Sequence, residues 1–188
     1  MSPFPAKINR EAVVQAAVDL IEAEGVEQLS VNILAKCLGV KTPSLYRYVT
    51  NKTDLLRAVN EATFTALFAA LEPALQTPGD AHTRAIAIAH AYRAFAHAHP
   101  VAYGLAYTNT IPEIRPNSSA LEQAVLPYQA LMAELSGEEG SLTALRGLLA
   151  LIHGFVMLEL AGQLRRGGDL GEAFTVSVEA YLNGWKNP

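Results

Sequence analysis

The stretch Ser30-Val31-Asn32-Ile33-Leu34-Ala35-Lys36-Cys37-Leu38-Gly39-Val40-Lys41-Thr42-Pro43-Ser44-Leu45-Tyr46-Arg47-Tyr48-Val49-Thr50-Asn51-Lys52-Thr53-Asp54-Leu55-Leu56 decides the fold. It reads as two short helices, over 30–37 and 42–48, joined by Leu38-Gly39-Val40-Lys41. Ser30 and Thr42 are each placed to cap the helix they open. Pro43 falls in the first turn of the second helix, where its missing N–H costs nothing. Gly39 supplies the backbone angles of a tight turn between steeply inclined helices. Leu45 and Val49 point inward as anchors.

On either side of this stretch almost every segment reads as helix. Upstream, Ala12, Val13, Ala16, Ala17, Leu20 and Ile21 fall on one face of a helix over 9–24, with Asn9 as N-cap and Gly25 at its C-terminus. Downstream, a long helix starts near Asn51 and runs to about Leu71, with Asn51 and Asp54 loosely imitating a capping box. Pro73, Pro78 and Gly79 then break the chain. Further helices are expected over 80–99, on to Tyr107, and over 120–135, 141–165 and 171–185, with a loop at 108–119. Strand-like alternation, internal repeats and low-complexity tracts are absent. The expected fold class is all-α: an N-terminal three-helix helix-turn-helix domain plus a C-terminal helical ligand-binding and dimerisation bundle, about nine helices in all. The expected division is 1–51 and 52–188.

A helix-turn-helix places its second helix in the DNA major groove, so that helix must be short, exposed and polar outside. Thr42, Ser44, Tyr46, Arg47 and Tyr48 give that face hydroxyls, a guanidinium and two phenols. Hydroxyls and main-chain amides mostly reach phosphates, whereas Arg is the usual reader of guanine. Lys52 is informative in a different way. A cation in the first turn of a helix opposes the positive end of the macrodipole, at a cost of some tenths of a kcal/mol. A DNA phosphate docked there is favoured by both the dipole and the ammonium.

Composition agrees once it is divided along the chain. Of 188 residues, 51% are hydrophobic and 17% charged, which gives ample material for a packed core. The net charge of −4 splits into +1 over residues 1–60 (seven Lys/Arg, six Asp/Glu) and −5 over the rest (seven and twelve). Between Lys36 and Arg57 the cations Lys36, Lys41, Arg47, Lys52 and Arg57 face Asp54 alone. A basic patch on an otherwise acidic chain suits a local phosphate contact. The single cysteine, Cys37, excludes an internal disulfide framework and fits a reducing cytoplasm. It reads as a small packed residue near a helix end. The opening residues 1–7 lack the apolar stretch of a secretory signal. The apolar run 148–164 is interrupted by His153 and Glu159 and is short for a membrane span of about 20 residues. The expected location is cytoplasmic, with no membrane partner.

Taken together, residues 30–56 resemble the DNA-binding domain of the tetracycline-repressor (TetR) family. The Gly39-Val40 turn, Leu45-Tyr46, and Lys52 followed by Leu55-Leu56 carry the likeness most strongly. With the preceding amphipathic helix and Gly25 it covers about 9–60. Val49 stands where a phenylalanine is often seen in the family. Two later stretches are similar to one of its subtypes: 91–100 with Tyr103, and Ile152-His153-Gly154 with Leu158-Glu159. The resemblance implies an all-helical homodimer whose DNA contacts come from Ser30, Lys41, Thr42, Pro43, Ser44, Tyr46, Tyr48 and Lys52. It also implies release of DNA on ligand binding, hence a repressor acting on an operator that is an inverted repeat.

Other sites are weighed by spacing. His90 and His97 share a helix face but lie about 10 Å apart, and His97 and His99 point to nearly opposite sides. A shared metal with bonds of about 2 Å does not fit that geometry, and no metal or cofactor is expected. Tyr92, Phe95, His99, Tyr103 and Tyr107 recur at helical spacing. They suit either an apolar effector pocket with a few orienting groups or simply core, and spacing alone leaves both open. Residues 148–162 are apolar nearly all round, which predicts burial on two sides. That makes 141–165 with 171–185 the candidate homodimer interface. Glu159 in this run requires a partner or a cavity, with Gln163 or a ligand as candidates. No phosphate loop, nucleophile elbow or Cys/His metal spacing appears, so an enzyme is not expected. A helical small-molecule-binding protein or enzyme without DNA-binding activity remains the alternative.

Overall fold

The computed structural model describes residues 8–108 and 111–185. The opening residues 1–7, on which the absence of a leader was read, lie outside the described residues. So do two positions of the expected 108–119 loop. The described residues form α1 (Arg10–Glu24), α2 (Val31–Cys37), α3 (Thr42–Leu45), α4 (Lys52–Leu75), α5 (Ala81–Ala98), α6 (Pro100–Thr108), α7 (Ser118–Leu160) and α8 (Leu170–Asn183). Two 3-10 turns, Val26–Gln28 and Pro112–Ile114, complete the order, and no strand occurs among the described residues. The all-α expectation holds. Among the described residues there are eight helices, of which α7 is interrupted at Gly137.

Contacts divide the chain into two compact units. The first holds the described residues of Met1–Ala66 together with His99–Asn117, and the second holds Leu67–Ala98 with the described residues of Ser118–Pro188. The helix α4 contributes residues to both.

In the first unit, Asn9 caps α1 by accepting from the Ala12 amide at 2.8 Å, and Val13, Ala17 and Ile21 face inward without exposure. They meet Leu34, Leu45 and Leu55 in one core. Burial of each large aliphatic side chain stabilises by about 1.5–3 kcal/mol. The expected inward anchors are Leu45 and Val49, 0% and 1% exposed. Gly39 ends α2 with φ 66°, and the Gly39 and Val40 amides return to the carbonyls of Lys36 (3.1 Å) and Ala35 (3.0 Å). That pair of bonds reverses the chain within two residues, and its left-handed step favours glycine.

The structure departs from expectation at several points. The second short helix ends at Leu45, and Tyr46, Arg47 and Tyr48 form a turn closed by Tyr48 N–H on the Leu45 carbonyl at 2.8 Å. Thr42 does not cap α3. Lys41 occupies that position, and the Thr42 hydroxyl donates instead to Asn32 Oδ1 at 3.1 Å. Pro73 does not end α4, which runs to Leu75, because a proline in the last turn forfeits only one helical bond. Cys37 is exposed rather than packed.

In the second unit, α5 packs against α7 and α8. Ala85, Ala89 and Ala96 are fully buried, so small side chains bring α5 close to its neighbours. Gly137 (φ 72°, ψ 164°) breaks α7 where a gap between two helices was expected. Beyond it Ala144, Leu148, Ile152 and Val156 are buried. By length and apolarity α7 passes for a membrane span. Its buried face belongs to the core of this unit. Tyr181 donates to the Ala144 carbonyl at 2.8 Å, an approach open only because position 147 is glycine: an added Cβ there would overlap the tyrosine hydroxyl.

Candidate functional site

The proposed DNA-reading residues fall together in the first unit. Ser30 caps α2, its Oγ accepting from the Ile33 amide at 3.2 Å. A hydroxyl that accepts in this way keeps its proton for another acceptor. Lys41, Pro43, Tyr46, Arg47 and Lys52 are exposed, while Thr42, Ser44 and Tyr48 are half-buried. Tyr46 is 53% exposed, a large ring left in water while Leu45 beside it is fully buried. Tyr48 is differently employed: its hydroxyl donates to the Ile8 carbonyl at 2.5 Å, and the Arg47 guanidinium stands 5.7 Å from its ring centre.

At the start of α4 the Asp54 amide donates to Asn51 Oδ1 at 2.8 Å, and the Thr50 amide donates to Asp54 Oδ2 at 2.8 Å. The Thr50 amide, with further help from its hydroxyl and Arg57, holds the Asp54 carboxyl below its usual range. Reciprocal bonds of this kind fix the first turn of α4 and hence the place of Lys52.

The residues expected at an effector site separate between the units. On α5 in the second unit, Tyr92 and Phe95 are 4% and 8% exposed. In the first unit Tyr103 is fully buried, its ring 4.8 Å from that of Tyr107, and Tyr107 lies 5.1 Å from Phe64. His99 accepts at its main-chain oxygen from the Tyr103 amide at 2.9 Å, which opens α6.

Glu159 finds partners that the sequence did not suggest. Arg93 donates to it from Nε at 2.9 Å and from Nη2 at 2.5 Å, and His97 Nε2 lies 2.8 Å from Oε2. The Arg93 bonds come first in holding the Glu159 carboxyl down at about 2, with His97 adding to them against the opposing effect of burial. Arg93 also stands 5.4 Å from the Phe174 ring centre, a cation–π contact. The available signal was charge balance, since Arg93 and Arg84 are the only two arginines on an otherwise apolar and His-bearing α5. A second residue missed was Glu22. Its carboxylate accepts from the Val101 and Ala102 amides in the first turn of α6. Among the described residues no group of three or more His, Cys, Asp or Glu side chains is placed to hold a metal.

On α7 and α8 the surface carries Leu142, Leu149, Leu158 and Val176, 40–56% exposed. Burial on two sides was expected for this part of α7, and one side is open in the single chain.

Residues 13–59 match the description of bacterial regulatory proteins of the tetR family, and residues 85–181 match the tetracyclin repressor-like C-terminal domain. An HTH-type transcriptional regulator of Mycobacterium tuberculosis is 36% identical over 162 residues, 84% of this chain and 73% of that one. The class D tetracycline repressor of Escherichia coli is 43% identical over 54 residues, 29% of this chain and 25% of its own. A solved structure from Rhodococcus sp. RHA1, of unknown function, superposes with a TM-score of 0.82 at 24% identity, covering 98% of this chain and all of that one. That last likeness concerns the fold alone. The chain belongs to the TetR family of helix-turn-helix transcriptional regulators, which bind operator DNA and ligands and dimerise.

Proposed function

We propose that this regulator is a repressor that holds an inverted-repeat operator as a homodimer and leaves it when a small effector binds. DNA recognition is assigned to 1–51, and effector binding and dimerisation to 52–188. The observation that carries the reading is the exposed run Lys41–Tyr46–Arg47–Lys52 set over a core of Leu34, Leu45 and Val49. A polar, cationic surface so rigidly backed suits insertion into a groove. Arg47 and Tyr46 read base edges, with the Pro43 ring available to a thymine methyl. Ser30, Lys41, Thr42, Ser44 and Lys52 hold phosphates. Tyr48, whose hydroxyl already donates to Ile8, presents its ring edge and braces Arg47.

The dimer forms through 141–165 and 171–185. The exposed Leu142, Leu149, Leu158 and Val176 support this, since an apolar helix face left in water is covered by a partner in a stable protein. For the effector, lining roles are proposed for Tyr92, Phe95 and Glu159 within the second unit, and His99, Tyr103 and Tyr107 form a separate candidate set within the first. The name of the Escherichia coli relative, a tetracycline repressor, supports a repressor relieved by a small molecule. Because α4 contributes to both units, a shift of this helix on ligand binding alters the spacing of the two reading heads. The switch requires a coupling of only a few kcal/mol. No catalytic role or cofactor is assigned, and the protein acts in the cytoplasm.

The reading is tested by comparing Tyr46→Ala and Arg47→Ala on operator and random DNA. A loss confined to the operator, with specificity relaxed at one base-pair position, supports it. An equal loss on both DNAs removes the base-reading assignment.

A further inference from the structure

Three arginines in the first unit line one cleft: Arg57, counted above in the basic patch, and Arg10 and Arg115, which have no role above. Arg10 opens α1, Arg57 and Glu61 lie one turn apart on α4, and Arg115 and Asn117 come from the segment after the Pro112–Ile114 turn. These five residues line a cleft of about 450 Å³. The segment bearing Arg115 is firmly held. Asn60, 1% exposed, donates from Nδ2 to the Ile114 carbonyl at 2.8 Å, and Ile114 is itself 1% exposed. The Arg115 amide returns to the Pro112 carbonyl at 3.1 Å. Arg115 therefore projects from a turn pinned to the interior.

The charges are unbalanced. Among the described residues no carboxylate forms an ion pair with Arg10 or Arg115, and Arg57 alone has one, with Asp54 at 2.8 Å. Three guanidinium groups face one lining carboxylate, Glu61, and with Asp54 set against Arg57 the cleft keeps a net charge of +1. Guanidinium forks match phosphate oxygens in pairs, and such charge-assisted bonds are about twice as strong as neutral ones. Glu61 adds a requirement of its own: it favours a ligand that also brings a hydroxyl or ammonium donor.

Two observations favour a small molecule over a DNA phosphate. The volume lies in the range of small-molecule sites, roughly 300–1,000 Å³, and far exceeds what one backbone phosphate fills. Along α4, Arg57 and Glu61 also lie about 7.5 and 13.5 Å beyond Lys52 at about 1.5 Å per residue, set back from the end proposed to meet DNA.

We propose that this cleft is a second ligand site, in the unit that reads DNA, for a small phosphorylated metabolite bearing a hydroxyl or amine. Once bound, such a ligand ties the first turn of α1 to α4 and to the 111–117 segment. It stabilises the reading head directly, independently of any effector in the second unit.

The test is calorimetric titration of the full-length protein, free of DNA, with inorganic pyrophosphate at moderate salt. The expected result is saturable binding of one pyrophosphate per chain. Arg10→Gln/Arg115→Gln weakens it at least tenfold, Arg115→Lys less, and Glu61→Gln tightens it severalfold. The single variant Arg166→Gln, exposed in the second unit and outside 141–165, leaves it unchanged, whereas Arg115→Gln alone weakens it severalfold. Absence of saturable binding overturns the proposal, and so does equal weakening by these two single variants. A third result also overturns it: no pyrophosphate binding, but a loss of operator affinity in Arg10→Gln/Arg115→Gln with a salt slope lower by about two units. That outcome assigns the arginines to DNA.

Discussion

Glu22, near the end of α1, accepts a hydrogen bond of 2.8 Å from the main-chain amide of Ala102, and a second of 3.1 Å from that of Val101. The first-turn amides of a helix have no partner within it, and a carboxylate there also meets the positive end of the dipole. One side chain of α1 thus caps α6, which belongs to the same unit and carries Tyr103 and Tyr107. Glu22→Ala is expected to cost about 1 kcal/mol, as loss of a cap does, and to lower Tm by a few degrees. It is also expected to blunt the effect of an inducer on operator affinity. A melting curve superimposable on wild type denies the cap a structural role.

Lys52 is exposed at the first position of α4, where the dipole disfavours it and a bound phosphate rewards it. Lys52→Ala is expected to weaken binding to all DNA sequences alike and to reduce the salt slope by about one unit. Anisotropy titrations at several salt concentrations measure both. An unchanged slope removes Lys52 from the phosphate contacts.

Leu149 and Val176, 41% and 56% exposed, mark the apolar face assigned to the dimer. Leu149→Glu/Val176→Glu is expected to sediment as a folded monomer and to lose most of its operator affinity. A variant that remains dimeric places the interface elsewhere.

The ion pair of Glu159 gives stability a pH dependence. Its carboxyl is held at about 2 in the folded protein against an ordinary 4.5, so it binds fewer protons folded than unfolded. The stabilisation is fully present above the ordinary value and is lost as pH falls from about 4.5 toward 2. It amounts to roughly 2 kcal/mol, allowing for the part-exposed Arg93 and His97. Wild type is therefore expected to lose stability more steeply than Glu159→Gln on acidification below pH 4.5, as followed by chemical denaturation. Parallel curves contradict this. Arg93→Ala, which leaves the carboxylate with His97 alone, is expected to destabilise more than Glu159→Gln.

What was legible in the sequence was local. Ser30 as a cap, Gly39 as a turn, and Leu45 and Val49 as anchors depend on neighbours a few residues away, and the structure places them as expected. The end of α3 at Leu45 was not legible, because Tyr46, Arg47 and Tyr48 all tolerate helix and the turn is decided by packing. Pro73 misled for the opposite reason: a residue that stops a helix in its middle is tolerated in its last turn. The partners of Glu159 lie 62 and 66 residues away, and those of Glu22 lie 79 and 80 away, beyond any periodicity argument. The stripe Tyr92–Tyr107 was consistent with both pocket and core. Its members prove largely buried and fall in two different units.

If two copies of the Thr42–Tyr48 surface read a two-fold DNA site, the purified protein at moderate salt selects a defined sequence from random double-stranded DNA. The expected product is an inverted repeat whose half-sites lie about one helical turn apart or a multiple of it. Failure of a folded, dimeric protein to enrich any sequence contradicts this reading.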